Sequence, residues 1–125
     1  MKASDDPRKS PPLPDTKTQF PEPYIREVTL GSDQIRLAVA NGGFTVVMPT
    51  FSTLYERTLF VPPVGFGLMI KQTYILPGVD TEAIYSAADI NNLFKIGDRF
   101  EFELQFHYQD QWYRGTSTKT YTVVT

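Results

Sequence analysis

The sequence predicts an all-β domain: a sandwich or barrel of about seven antiparallel strands with one short helical crossing. Three observations carry this. Phe100, Phe102, Leu104, Phe106 and Tyr108 alternate with Glu101, Glu103, Gln105 and His107, the period of a strand with one face on a core. Gly, Pro, Asn and Asp turn signals recur roughly every ten residues between apolar runs. The closing stretch, Thr116 to Val124, is rich in β-branched residues and reads as a final strand.

Residues 1–23 hold six of the ten prolines, balanced charges and only Leu13 and Phe20 as substantially apolar groups. Such a segment buries too little to offset its ordering entropy, so it reads as a proline-rich disordered or extended linker. Pro11-Pro12-Leu13-Pro14 also suits a polyproline ligand, but a linker is the commoner use of such composition. The folded domain is placed at residues 24–125. Tyr24 to Leu30 begins it, and Gly31-Ser32-Asp33 turns. Gln34 to Ala40 reads as a strand with Ile35, Leu37 and Val39 on one face. Asn41-Gly42-Gly43 is a hairpin signal, followed by a strand over Phe44 to Met48 that Pro49 stops.

Tyr55 to Val61 is the next strand, with Tyr55, Arg57, Leu59 and Val61 sharing a face. Pro62-Pro63, Gly65 and Gly67 punctuate it, and Leu68 to Leu76 follows as a strand ended by Pro77-Gly78. Ala83, Ala87, Ile90 and Phe94 lie at helical spacing, and Ser86 with Asp89 forms a capping-box start. The expectation is a short helix around Ala87 to Phe94. Gly97-Asp98 turns into the alternating strand, Gln109-Asp110-Gln111 turns out of it, and Gly115 marks a bulge. The predicted core contains Ile35, Leu37, Val39, Val46, Leu59, Phe100, Phe102, Leu104, Phe106 and Val123.

A chain of 125 residues suits one domain that needs no disulfide or metal to fold. It has no cysteine, a formal charge of −2 and a pI of about 5.3. No basic cluster asks for nucleic acid, no apolar run is long enough to span a membrane, and the N-terminus lacks the apolar core of a signal peptide. No cofactor is expected.

Few residues carry candidate chemistry. His107 is the single histidine and reads as a surface residue on the polar face of the alternating strand. Glu101 and Glu103 form an i, i+2 pair, but edge polarity explains them more simply than acid–base work. Asp80, Glu82 and Asp89 match no calcium-loop spacing, and Asp80 as a cap and Asp89 in a helical turn explain them more simply. No catalytic or metal-binding residue is assigned. Trp112 and Tyr113, with Tyr108 nearby, are the candidate partner or glycan contacts. Aromatics on a hairpin stack on sugar rings or anchor protein contacts, and two neighbours on a strand face opposite ways, so at least one is expected at the surface.

Asn41-Gly42-Gly43-Phe44-Thr45-Val46-Val47-Met48-Pro49 resembles the early strand of immunoglobulin-like repeats in large bacterial surface and adhesin-type proteins. Ala87-Ala88-Asp89-Ile90, then Gly97-Asp98, the alternating strand and Ser117 to Val124 resemble the second half of such repeats. The pattern covers residues 24–124 and departs in having Phe60 and Tyr55 where a mid-strand tryptophan is expected. The resemblance implies an immunoglobulin-like sandwich and a non-enzymatic spacing or adhesion module of a larger surface or secreted protein. Its expected location is extracellular or at the cell surface, and its partners are a protein or carbohydrate ligand and neighbouring domains of the same chain. The alternative is a stand-alone, toxin-like sandwich that binds a glycan or protein through its loops.

Overall fold

A computed structural model of the chain describes residues 22–49, 57–76 and 78–125. The proline-rich stretch through residue 21 and Tyr55 lie outside the described residues. The elements run β1 (Tyr24–Ile25), β2 (Gln34–Arg36), α1 (Leu37–Gly42), β3 (Gly43–Met48), β4 (Arg57–Val61), β5 (Lys71–Tyr74) and β6 (Thr81–Ser86). Then come α2 (Ala87–Ile90), β7 (Arg99–Phe100), β8 (Glu103–Tyr108), β9 (Gln111–Ser117) and β10 (Tyr121–Val124). The fold is all-β, with three sheets of order β1-β3-β6, β2-β10-β7 and β5-β4-β8-β9. Strands pair antiparallel except β2 with β10, which run parallel. No helix among the described residues is long and apolar enough to cross a membrane.

The alternating stretch from Arg99 to Tyr108 keeps one face on the core throughout: Phe100, Phe102, Leu104 and Phe106 are buried and Tyr108 is half-buried. It is nevertheless two strands. β7 pairs with β10, whereas β8 lies between β4 and β9. The change of partner falls at Glu101-Phe102, and the neighbouring chain changes sheets at the same level between β9 and β10. Thr118 ties the two crossings together. The Phe102 N–H donates to Thr118 Oγ1 at 2.9 Å, and the Thr118 N–H donates to the Phe102 carbonyl at 2.9 Å. Buried backbone groups that have left a ladder thereby keep their partners.

Phe102 stands within an aromatic cluster that joins the sheets. Its ring is 5.9 Å from Phe44 on β3, 5.3 Å from Tyr85 on β6 and 6.0 Å from Phe100. Phe94 stacks on Phe100 at 4.7 Å, and Tyr121 closes the far side of Phe100 at 5.9 Å. Ile25, Ile35, Val46, Phe60, Leu104, Phe106 and Val123 fill the space around these rings.

The capping box predicted at Ser86 is present. The Asp89 N–H donates to Ser86 Oγ at 3.1 Å, and the Ser86 N–H donates to Asp89 Oδ2 at 3.0 Å. The helix is shorter than expected and stops at Ile90, because Asn91 takes the left-handed conformation. Lys71 on β5 latches this corner to the other sheet: its Nζ donates to the Ile84 carbonyl at 2.6 Å and to Asp89 Oδ2 at 3.2 Å, and lies over the Tyr85 ring. The hydrogen bond from the Ser86 backbone and then Lys71 hold the Asp89 carboxyl below its ordinary range. Folding lowers this pKa, so the contribution is present at neutral pH and is lost as pH falls through the folded-state value. Burial, and secondarily the Asp89 charge, push the Tyr85 hydroxyl above its ordinary range.

Several expected strands are corrected. Gln34 to Ala40 is a strand only to Arg36; Leu37–Gly42 is helix α1, which leaves Leu37 and Val39 half-buried. The Asn41-Gly42-Gly43 signal is therefore no hairpin. β2 and β3 belong to different sheets, and Gly43 turns the helix into β3 at φ 104°. A Cβ at Gly43 would meet the Tyr85 carbonyl oxygen at 3.1 Å, so this glycine serves close packing as well as φ. Asn41 ends up as a tie: its amide donates to the Phe94 carbonyl at 3.0 Å and accepts from the Phe94 N–H at 2.9 Å. Leu59 is buried but lies on the face of β4 opposite the core residue Phe60. Thr116 to Val124 is split between β9 and β10.

His107 and Gln105 do not lie on a solvated face. Gln105 is 0% exposed and His107 8%. β8 is a central strand, and on that face the long side chains of both neighbours flank it: Leu59 and Arg114 beside Gln105, Arg57 and Trp112 beside His107. The predicted bulge is present. Glu103 pairs with Ser117 and Gln105 with Arg114, so β9 carries one extra residue around Gly115. A Cβ at Gly115 would overlap the Phe106 ring.

Phe102→Ala is expected to cost about 3–5 kcal/mol in chemical denaturation, because a large cavity opens between the sheets. A loss under about 1 kcal/mol would show that the aromatic cluster does not hold them together. Gly115→Ala is expected to destabilise by about 1–3 kcal/mol through overpacking against Phe106; an unchanged denaturation midpoint would contradict that close approach.

Candidate functional site

The three aromatics chosen from sequence lie on one hairpin but on two faces. β8 and β9 are joined by Gln109-Asp110, both at positive φ, which closes the tight turn. Tyr113 lies opposite Phe106, on the core side of the sheet, and Tyr108 packs beside it with ring centroids 6.5 Å apart. Both are half-buried against the core. Trp112 lies opposite His107 on the other face.

Register continues that second face across all four strands. Tyr74 pairs with Arg57, Arg57 with His107 and His107 with Trp112, so these side chains form one transverse row. The Trp112 ring meets His107 edge-on at 5.1 Å, and the Arg57 guanidinium sits 5.6 Å from the indole centroid. Trp112 is thereby half-buried and held in place, while Tyr74 at the other end of the row is 71% exposed. Arg57, His107 and Tyr74 are the additions that the structure makes to the sequence-derived set. The signal for them is cross-strand register, which no single strand displays.

The paired carboxylates lie in a different place. Glu101 and Glu103, with Arg114 and Ser117, line a cleft of about 370 Å³ whose remaining wall is Val61, Pro62, Pro63 and Val64. Val61, Glu103 and Ser117 form a transverse row at the end of the sheet. Of the acidic residues weighed for calcium, Glu82 pairs with Arg26, and Asp89 is engaged by Lys71 and the Ser86 backbone. The three do not converge on one another in these contacts.

This edge of the molecule also carries exposed apolar side chains. Met69, Tyr74, Leu76, Val79 and Ile84 are all more than half exposed, and all belong to β5, β6 or the segments flanking β5. β5 and β6 are outer strands of their sheets. Lys71 covers part of that open edge by taking the Ile84 carbonyl as acceptor.

No protein-family model, curated protein or solved structure matches this chain.

Trp112 is the single tryptophan, so its emission reports this row alone. Arg57→Ala is expected to shift that emission to the red and to lower stability by about 0.5–1 kcal/mol, the size of a surface cation–π contact. Unchanged emission would mean that Arg57 does not cover the indole.

Proposed function

We propose that this chain is a non-enzymatic immunoglobulin-like module that serves spacing or adhesion within a larger bacterial surface or secreted protein. The observation that carries the reading is strand order. β1-β3-β6 corresponds to an A-B-E sheet, and β5-β4-β8-β9 to the opposing C′-C-F-G sheet of such sandwiches. The α2 crossing follows β6, where the chain leaves the first sheet, and passes through β7, beside β10, before β8 joins the second. The sequence resemblance over residues 24–124 points the same way. The chain has no cysteine for the inter-sheet disulfide of antibody domains; Phe44 on β3 and Phe102, just before β8, meet ring to ring instead. Phe60 occupies the position in β4 where those domains carry tryptophan.

A second reading, a glycan- or protein-binding sandwich acting on its own, is favoured by one observation. Trp112 presents a partly open indole that Arg57 and His107 hold in one orientation. A pre-oriented aromatic offers contact area at low entropy cost.

The test is retention of the full chain on glycan and cell-surface protein arrays, with turnover of each retained ligand followed. Retention without turnover is expected. The double variant Trp112→Ala, Tyr113→Ala is expected to keep a cooperative unfolding transition and to lose retention at least about tenfold. Turnover of a ligand would sink the non-enzymatic reading, and empty arrays would sink the adhesion role. Retention unchanged in the double variant would move the contact off the hairpin.

A further inference from the structure

We propose that the cleft between the Val61–Val64 segment and the bulged end of β8 and β9 binds a basic side chain, lysine or arginine, carried on an extended polypeptide. This rests on reading the domain as a binding module and names one site and ligand class for it, separate from Trp112.

The fold builds the cleft at its most irregular point. The floor is the row Val61, Glu103 and Ser117 at the end of the four-stranded sheet. Directly beyond it, the chain enters β8 from β7 through Glu101-Phe102, and β9 departs toward β10. The extra residue of the bulge lies between Arg114 and Ser117 and parts the two residues that form the polar lip. Bulges beside a break in pairing commonly re-aim side chains at a site. The Thr118–Phe102 hydrogen bonds hold this break in place from below, so the cleft mouth is framed by fixed backbone.

Its lining selects the ligand in three ways. Glu101 and Glu103 put two carboxylates in the lining against the single guanidinium of Arg114, which favours a cation over an anion. Glu101 and Arg114 are in no ion pair among the described residues, so their charges remain available at the lip. Pro62, Pro63 and Val64, continuing from Val61, form an apolar wall, suited to the methylene stem of a long basic side chain whose charged head reaches Glu101. Arg114 and the Ser117 hydroxyl supply donors beside the carboxylates, matched to the carbonyl oxygens of a peptide backbone. Those donors decide between two cationic ligands. A polyamine has no acceptor for them, whereas a peptide offers its backbone carbonyls as well as a cation. Among the described residues the lining contains no aromatic ring for a sugar to stack on. A volume of about 370 Å³ lies at the small end of ligand clefts and suits one side chain with its flanking backbone.

The test titrates the full isotope-labelled chain with the blocked peptide acetyl-Ala-Arg-Ala-amide, its norleucine counterpart and spermidine, following amide resonances. Saturable shifts confined to Val64, Glu101, Glu103, Arg114, Ser117 and their neighbours are expected with the arginine peptide. They are expected to weaken as salt rises. Glu101→Gln is expected to weaken the arginine peptide roughly tenfold. The Trp112→Ala, Tyr113→Ala variant is expected to bind it as the parent does, which separates failure of this site from failure of the hairpin contact. Equal shifts with the norleucine peptide would reduce the cleft to an apolar groove and overturn the proposal. Tighter binding of spermidine would overturn the choice of a peptide. Shifts elsewhere, or none, would overturn the site, and because the mapping is done on the parent chain that outcome does not depend on any variant folding.

Discussion

The fold depends on one constraint: an aromatic side chain must fill the gap between sheets that no covalent bridge spans. Phe102 occupies that position, against Phe44 and Tyr85 on one side and Phe100 on the other. Edge-on and tilted rings at these separations add to the burial of their own area. With no cysteine in the chain, the distance between sheets is set by ring packing. That explains why the irregular features gather around this residue. Thr118 satisfies the Phe102 backbone, both chain crossings lie at its level, and the capped turn at Ser86 brings Tyr85 and Ile90 into the same layer. Each of these would be an isolated oddity in a sheet that did not change partners here.

The alternation from Phe100 to Tyr108 was readable because side-chain direction is a property of the strand itself. The identity of the neighbouring strand is not, and so one uninterrupted pattern concealed a change from β10 to β4 and β9. The same limit explains His107 and Gln105. Polar residues between apolar ones suggest a solvated face, but a central strand is covered by the long side chains of the strands beside it. Local chemistry fared better where it was self-contained. Ser86 and Asp89 need only each other to cap a helix, and Gly115 needs only one extra residue in its own strand to mark a bulge. Asn41-Gly42-Gly43 misled because glycine permits several conformations, and here the second glycine leads out of a helix.

The candidate sites divide along the same line. Composition and position singled out Trp112 and Tyr113, yet the opposed faces of a strand separate them into a surface row and a core edge. Arg57 and His107 join Trp112 only through pairing across three strands. The cleft was further from view. Glu101 and Glu103 were visible as a pair, but the wall opposite them comes from Pro62 and Pro63, some forty residues earlier in the chain. In sequence those prolines mark only the end of a strand.

The parallel pairing of β2 and β10 sets how the domain would carry tension. Gln34, Ile35 and Arg36 lie beside Thr122, Val123 and Val124, near the two ends of the folded region. Drawn from the start of β2 and the end of β10, these strands slide along their own axes in opposite directions. Their hydrogen bonds then bear the load together in shear, whereas an antiparallel pair drawn apart from one end peels one bond at a time. Below this contact, Tyr121 accepts the Ile25 N–H at 3.0 Å and fastens β1 to the same strand. Both β1 and β2, from the beginning of the folded region, are thus bound to its last strand.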